Sequence, residues 1–540
     1  MAGAHKFIFP NFLSLFFHGG CGAALPPPHP SDVLVHKRAP PSARLTDATA
    51  LVVDVDGGLL LSSGSLFPYF MLVAIEAGGL LRGLLLLLLY PFIACIGGDV
   101  AFRAMAFVAF CGLRATRFRA GRAVLPRWLL ENVGLEAFDA VRRRWSSGAA
   151  GRRAAVVWAS RMPRVMVEPF LKDYLEADVA DVVAAREMKV LWGLYTGLME
   201  EGGGEAASEA RKKIMEGAFG DDVVGFSGGS MEFLCNNTLS SSCKEVYVVS
   251  AEEKSKWRPL PRDEYPRPLV FHDGRLAFLP TPLATVAMLV WLPLGAALAV
   301  ARIAVAMTLP YKYATPILSA TGQSWRLRGS LPPPPSSRGQ LYVCNHRTLI
   351  DPVYVSIALD RPVRAVSYSL SRLSELISPI GRTVHLARDR AHDGAAMARL
   401  LAGGAHVVVC PEGTTCREPY LLRFSPLFAE LSGDGVVPVA LAVETAMFHG
   451  TTAGGWKSMD ALYYLANPRM CYTVEFLGRV DTSPVRDGGA ASTDVANRVQ
   501  RLMAASLGYE CTMLTRKNKY LMLAGNDGVV RAKGAACQWP

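Results

Sequence analysis

LYVCNHRTLIDP, residues 341–352, decides how this chain is read. Four apolar residues stop abruptly at Asn345, His346 and Arg347, and Asp351 follows His346 by five positions. A short apolar run bounded by polar residues reads as a buried strand. In a continuous helix a separation of five would turn the two side chains about 140° apart. They meet if the strand ends near Asn345 and a turn leads into a helix with Pro352 in its first turn, where a missing N–H costs nothing. Asp351 then orients the imidazole and stabilises its cation, and His346 can take a proton from an alcohol. A histidine and an aspartate five apart also occur by chance, so the neighbouring segments carry weight.

Three segments follow it in order. GRTVHLARDR, 381–390, is strand-like and ends in charges that include Arg388; arginine makes forked contacts to phosphate. VVVCPEGTTCREPYLLRF, 407–424, is a buried strand that runs into Glu412, Gly413, Thr414 and Thr415. Glycine lets a backbone approach a ligand closely, and neighbouring N–H groups can receive an anion. A charged Glu412 straight after an apolar run needs a partner. VVPVALAVE, 436–444, is apolar on both sides of Pro438 and supplies a wall or core strand. Strand candidates at 341–344, 363–367, 406–410 and 436–443 alternate with helical patterns, which predicts an α/β domain.

These four blocks resemble those of the glycerolipid acyltransferases: NHRTLIDP its H-x4-D block, the Arg388 segment its second, PEGTT its third and VVPVAL its fourth. The resemblance covers about residues 339–445. It implies direct acyl transfer from an acyl thioester to a hydroxyl of a glycerol phosphate, with no acyl-enzyme. His346 is then the base and Asp351 its partner. Arg388 with Glu412, Gly413 and Thr414 shapes the glycerol-phosphate pocket.

The composition agrees. Of 540 residues 51% are hydrophobic and 19% charged, and the net charge is +11. That is too apolar for a disordered chain and too interrupted for a polytopic channel, and it suggests soluble domains tied to a membrane. The positive charge suits anionic lipid or anionic substrates. Nucleic acid is not expected, since the arginines are scattered without an aromatic-basic motif. The cysteines lack CxxC spacing, so neither a zinc site nor a disulfide framework is expected. Two apolar regions stand out. One spans about residues 57–98, with a further apolar piece at 104–113 close behind it. The other has no charge between Arg275 and Arg302 and is long enough for a bilayer. Pro293 and Gly295 interrupt the second, so a single crossing and a bent hairpin are both open.

Upstream, LVVDVDGGLL, 51–60, ends a strand in Asp54 and Asp56. Two carboxylates two apart on a strand point the same way, which suits Mg²⁺ and a phosphoryl acceptor. AAVVWAS, 154–160, is a second strand ending in the hydroxyl of Ser160, and CKEVYVV, 243–249, a third. These resemble the haloacid dehalogenase-like (HAD) phosphatase fold. With SRMPRVMVEPFLKDYL, 160–175, and the C-terminal blocks, the whole is similar to the land-plant glycerol-3-phosphate acyltransferases, which carry a HAD-like domain before the acyltransferase domain.

Several expectations follow from that resemblance. The fold is a HAD-like Rossmannoid α/β domain with an apolar membrane-associated insertion, a membrane helix or hairpin, and an α/β acyltransferase domain. The boundaries expected are a lead at 1–46, the HAD-like domain at 47–273 with its insertion at about 59–113, the membrane segment at 276–310, the acyltransferase domain at 331–510 and a tail at 511–540. Substrates are acyl-CoA and glycerol 3-phosphate, with the sn-2 hydroxyl acylated and lysophosphatidic acid released. Acyl transfer needs no cofactor or metal. Family members that also remove the phosphate, releasing 2-monoacylglycerol, need a GDxxxD-type motif, where this chain reads VGFSGGSMEFL, 224–234. Asp54, Asp56 and Ser160 therefore read as a degenerate HAD site, with Mg²⁺ bound only if that site is active. A bifunctional acyltransferase/phosphatase and a lysophosphatidate acyltransferase are the alternatives. Strands ending at Asp56 and Ser160 must share a sheet, so the insertion crosses the membrane an even number of times or lies on it. The resemblance implies endoplasmic reticulum with cytosolic catalytic domains, leaves a mitochondrial membrane open, and suggests roles in cutin, suberin or anther lipid.

Overall fold

The computed structural model describes residues 34–37, 50–61, 65–146, 155–176, 181–200, 212, 222–228, 243–332, 339–367, 383–385, 390–431, 435–455 and 459–527. Arg388, Asp221 and positions 229–234 of the VGFSGGSMEFL stretch lie outside the described residues. The chain divides into two compact units, Met1–Pro268 and Leu269–Pro540.

The first unit holds a six-stranded, all-parallel sheet in the order β1-β8-β7-β2-β3-β4. Its strands are β1 (Leu34–His36), β2 (Ala50–Asp54), β3 (Ala155–Ser160), β4 (Val182–Ala185), β7 (Val223–Gly228) and β8 (Glu245–Val249). β2 is buried throughout, as expected of a parallel strand covered on both faces. β2 and β3 share this sheet, as the sequence required, and are neighbours in it. A separate antiparallel hairpin is formed by β5 (Met188–Leu191) and β6 (Leu194–Met199). The apolar insertion folds as three helices, α1 (Phe67–Gly78), α2 (Leu80–Ile96) and α3 (Gly98–Phe110), separated by glycines with positive φ at Gly79 and Gly97.

The second unit holds a seven-stranded sheet in the order β12-β11-β13-β10-β15-β16-β9. The strands are β9 (Gln323–Arg328), β10 (Leu341–Cys344), β11 (Arg364–Ser367), β12 (Val384–His385), β13 (Val407–Val409), β15 (Val436–Thr445) and β16 (Met470–Phe476). All pairs are parallel except β15 with β16. β10 lies inside the sheet between β13 and β15, and all four of its residues are buried. A two-stranded ladder joins β14 (Tyr420–Leu421) to β17 (Glu510–Cys511).

The apolar run after Arg275 is one continuous helix rather than a hairpin. After a four-residue helix α4 (Ala251–Lys254) that closes the first unit, α5 runs from Pro282 to Thr308. The Thr281 side chain caps it, accepting from the Ala284 N–H at 3.3 Å. Pro293 lies inside the helix without ending it. The stripe Thr285, Met288, Gly295, Ala299 and Arg302 is buried, so one face of α5 packs on its own unit over most of its length. A Cβ on Gly295 would stand 2.8 Å from the Ala466 carbonyl oxygen, and Trp291 Nε1 donates to that same oxygen at 2.8 Å. Arg302, a charge inside an apolar helix, is bound by the carbonyls of Leu465 and Asn467 and by Thr321. The opposite stripe, including Leu283, Val290, Leu294 and Val300, is exposed.

Candidate active site

In a parallel sheet the strand C-termini open onto one edge, where ligands bind. β10 and β13 run parallel and in register, Val343 beside Val409, so the residues that follow them emerge together. Asn345 ties down the end of β10. Its amide donates to the Leu441 carbonyl at 2.9 Å and its oxygen accepts the Leu441 N–H at 2.7 Å, bridging to β15. His346 comes next. The chain then turns and starts α7 (Asp351–Leu359) with Asp351 and Pro352 in its first turn; α6 (Tyr311–Ala320) precedes β9.

That turn brings His346 Nδ1 to 2.8 Å from Asp351 Oδ2. The aspartate is fully buried and heavily ligated. Oδ2 also accepts the Arg347 N–H at 2.7 Å. Oδ1 accepts the Thr348 N–H at 2.9 Å, the Thr348 hydroxyl at 3.2 Å and the Tyr472 hydroxyl. Five hydrogen bonds thus converge on this one buried carboxylate. Nδ1 is taken by Asp351, which leaves Nε2 for chemistry.

Burial opposes a charged His346, while its interaction with Cys410 and the hydrogen bond and charge of Asp351 favour it, and its pKa stands well above 6.5. Cys410 is the other neighbour; the ligand atoms of His346, Asp351 and Cys410 lie within 4.8 Å of one another. The Cys410 thiol is held well above its usual pKa by its contact with Cys344 at 3.4 Å and by burial, so it is neutral at physiological pH.

Glu412 finds its partners in the backbone. One carboxylate oxygen accepts the His346 N–H at 2.7 Å and the other the Leu422 N–H at 2.9 Å. Burial pushes its pKa up to about 7. It therefore positions the histidine from behind. Gly413 has φ +65°, a left-handed turn that suits glycine. Its N–H donates to the Cys410 carbonyl at 3.2 Å, so this particular N–H is spent on the turn. Thr414 and Thr415 are held from the other side by Lys519, whose Nζ reaches the Thr414 hydroxyl at 3.4 Å and the Thr415 hydroxyl at 3.0 Å.

These residues line one cavity of about 760 Å³ in the second unit. His346, Glu412 and Thr414 face it, with Ile303 and Ala306 of α5, Ile350 just before α7 and Val353 of α7 as apolar wall. Arg423 and Arg516 supply positive charge on the wall. The segment after residue 511, expected as a tail, is part of the site. After α8 (Asp460–Leu465) and α9 (Ser492–Leu507), the helix α10 (Arg516–Leu523) carries Lys519, and Met513, Thr515, Arg516 and Tyr520 line the cavity.

Sequence reasoning missed Asn345, Tyr472, Arg423 and Lys519. Tyr472 had a signal: in MCYTVEF every second residue is buried, which puts Tyr472 on the inner face of β16. Arg423 is the last but one residue of the 407–424 run and was readable as a cation beside PEGTT. Lys519 had none, because only the fold returns α10 to the PEGTT loop.

In the first unit Asp54, Asp56 and Ser160 do come together, at the ends of β2 and β3. Asp54 accepts the Gly57 N–H at 2.9 Å and the Ser227 hydroxyl at 2.6 Å. Asp56 accepts the Ser160 hydroxyl at 2.7 Å and the Arg161 N–H at 2.6 Å. Burial, and for Asp54 the charge of Asp56, raise both carboxyl pKa values, that of Asp54 to about 6. Lys254 on α4, also missed from sequence, donates to the Gly57 carbonyl at 2.5 Å, and burial lowers its pKa to about 8. Among the described residues no third acid joins the pair around a common ion. Mg²⁺ wants about six oxygen ligands in near-octahedral array. The four carboxylate oxygens of the pair are already engaged and an ammonium lies close by, which does not fit it.

A HAD-like unit and an acyltransferase unit therefore share one chain. The family described as "Glycerol-3-phosphate acyltransferase RAM2-like, HAD-like domain" matches residues 50–249, and the Acyltransferase family matches residues 329–442. "Probable glycerol-3-phosphate acyltransferase 2" of Arabidopsis thaliana is 46% identical over 504 residues, 89% of this chain and 90% of that protein. "Glycerol-3-phosphate acyltransferase RAM2" of Petunia hybrida is 42% identical over 492 residues, 89% of this chain and 98% of that protein. The chain belongs to the plant glycerol-3-phosphate acyltransferase family. Among solved structures, that of the 1-acyl-sn-glycerophosphate acyltransferase PlsC from Thermotoga maritima matches 41% of this chain and 97% of its own at 15% identity, with a TM-score of 0.29. That is too distant to transfer a residue role.

Proposed function

We propose that this enzyme moves an acyl group from acyl-CoA to the sn-2 hydroxyl of glycerol 3-phosphate and releases lysophosphatidic acid, with His346 as general base and no metal or other cofactor. The observation that carries the reading is the His346–Asp351 pair, 2.8 Å apart, with the histidine on the wall of the cavity. His346 Nε2 takes the hydroxyl proton as the oxygen attacks the thioester carbonyl. The tetrahedral intermediate collapses, the C–S bond breaks and the CoA thiolate takes the proton back from the imidazolium. Asp351 holds the tautomer that leaves Nε2 unprotonated and stabilises the cation between the two steps. Arg423 and Arg516 are cations on the cavity wall for the glycerol phosphate; Arg388 is assigned the same task from sequence alone. Ile303, Ala306, Ile350 and Val353 form an apolar wall suited to the acyl chain.

The HAD-like unit has no phosphatase role in this reading. Support comes from Ser227, which bonds Asp54 at 2.6 Å on the strand end where a third acid would be needed. Support for membrane association comes from α5, which is long and apolar enough to cross a bilayer and exposes one apolar stripe. Endoplasmic reticulum, with the catalytic unit on the cytosolic face, supplies acyl-CoA.

The test feeds labelled glycerol 3-phosphate and acyl-CoA to membranes containing the full chain or its His346→Ala variant and separates the lipids. Lysophosphatidic acid from wild type and none from the variant is expected. Monoacylglycerol as the main product would overturn the assignment of the HAD-like unit, and equal product from both chains would overturn the base.

A further inference from the structure

β5 and β6 pair with Leu191 opposite Leu194, so Trp192 and Gly193 alone make the turn. Both have positive φ, 51° and 76°. A two-residue turn of that kind favours Asn-Gly or Asp-Gly. A bulky side chain with positive φ is an outlier, and such outliers point to function when the fold does not need them. The fold makes little use of this indole, which is 92% exposed. Val190, Leu191 and Leu194 beside it are also exposed, so the tip carries four large apolar side chains.

The hairpin is held firmly on α3. A Cβ at Gly197 would lie 2.8 Å from the Phe107 Cα, so the two backbones touch. Tyr195 meets Phe110 and Phe118 edge-on at 5.6 and 5.7 Å. The Gly112 N–H donates to Tyr195 and the Ala115 N–H to Gly193, at 2.8 and 3.0 Å. The tip thus stands at the C-terminal end of α3. α2 starts at that same end, because Arg82 donates to the Val108 and Ala109 carbonyls at 3.3 and 3.1 Å. From there α2 turns an apolar face outward, from Leu81 at 84% exposure to Leu88 and Phe92, while burying only Gly83, Leu86 and Ile93.

The charge at this end is mainly positive, with Glu76 near the end of α1 as an acid among the cations. Arg114 bridges to Leu194, and Arg114, Arg117, Arg119 and Lys189 are exposed. The hairpin's acids, Glu187 and Glu200, pair at its base through the Glu200 N–H, 3.1 Å from the Glu187 carbonyl. Tryptophan beside arginine and lysine is the composition of a membrane interface. A second copy of this surface would set these cations against their own kind.

We propose that this end of the HAD-like unit is a membrane-docking surface. Trp192, Leu191 and the outer face of α2 enter the headgroup–acyl boundary, and Arg114, Arg117, Arg119 and Lys189 meet anionic headgroups. The contact lies on the bilayer and does not cross it. α1 is buried from Phe67 to Ile75, so it cannot serve as the lipid-facing partner of a spanning pair. α2, with 17 residues, is about 26 Å long against a hydrocarbon core of roughly 30 Å. The proposal is independent of the acyl-transfer reading.

The test uses the full chain bound to phosphatidylcholine vesicles, with or without phosphatidylserine, and its Trp192→Asn variant. Asparagine suits the turn, so the variant should melt no earlier than wild type and keep its acyl transfer in detergent; Trp192→Phe is the second variant if it does not fold. The wild-type minus variant emission isolates Trp192. That emission should be blue-shifted, quenched by dibrominated lipid, shielded from aqueous iodide, and more so with phosphatidylserine. Quenching by iodide and not by bromolipid would overturn the proposal. So would shielding from both quenchers in a chain found dimeric by light scattering, which would assign the surface to a second copy.

Discussion

Replacing Asp351 with asparagine changes one atom and tests the whole arrangement. The carboxylate accepts five hydrogen bonds, two of them from the Arg347 and Thr348 N–H groups, which sit on opposite oxygens and cannot turn away. Whichever way the amide faces, its NH₂ meets one backbone N–H donor to donor. If the NH₂ replaces Oδ2, it also donates to His346 Nδ1 and forces the proton onto Nε2, the nitrogen that must be free. If it replaces Oδ1, the tautomer survives but the anion that stabilises the imidazolium is gone. One orientation removes the base and the other weakens it, and general-base catalysis contributes about 10²–10⁴-fold, so kcat should fall by up to about that factor. The orphaned buried N–H costs about 1–3 kcal/mol of stability, a loss of several degrees in melting temperature for a unit of this size. The assay is steady-state acyl transfer with glycerol 3-phosphate and acyl-CoA, with a thermal melt of each protein. His346→Ala should be as slow as the aspartate variant, and the double variant no slower than either, since the two act as a unit. An Asp351→Asn enzyme that is well folded and indistinguishable from wild type in kcat would refute the reasoning. Additive losses in the double variant would refute the shared role.

The raised His346 pKa fixes the sign of the pH dependence: the base is present only above it, so kcat/KM should rise with pH along a limb whose midpoint lies above 6.5. A limb centred below 6.5 in a pH series would contradict this. Glu412→Gln keeps the shape but turns an NH₂ toward either the His346 or the Leu422 N–H; the lost bond and orphaned donor, about 1–3 kcal/mol, should slow kcat about ten- to hundredfold with little change in KM for acyl-CoA. Arg423→Ala should raise KM for glycerol 3-phosphate about tenfold or more, since a charge-assisted bond is worth about 1.5–3 kcal/mol; an unchanged KM would remove Arg423 from the phosphate site.

The sequence exposes the His346–Asp351 pair because its whole geometry is local: one strand end, one turn and one helix start lie within twelve residues. The same holds for Asp54 and Asp56. What depends on distant chain was hidden. Glu412 could be seen to need a partner, but that the partners are the His346 and Leu422 N–H groups follows only from the β10–β13 register. Lys519 reaches PEGTT across more than a hundred residues. The α5 reading stayed open between one helix and a hairpin for a different reason. Pro293 and Gly295 looked like breaks, yet a proline in an apolar helix costs one backbone bond and some crowding. Gly295 is there because the Ala466 carbonyl needs its space.

The two acids of the HAD-like unit raise a last question: what do buried Asp54 and Asp56 do for the fold itself? Their bonds answer it. Asp54 closes the turn after β2 through the Gly57 N–H and reaches Ser227 on β7. Asp56 reaches Ser160 and the Arg161 N–H at the end of β3. Together they pin the ends of three adjacent strands, β7, β2 and β3. Gly57 and Gly228 pack so closely that a Cβ on Gly228 would lie 1.8 Å from the Gly57 carbonyl oxygen, and Lys254 donates to that oxygen while its charge stands near both acids. The carboxylates thus satisfy donors that an apolar residue would strand, at about 1–3 kcal/mol each. Replacing Asp56 with alanine should therefore lower the melting temperature of the full chain and leave its kcat for acyl transfer unchanged, whereas a unit that still worked on phosphate would lose a product and little stability.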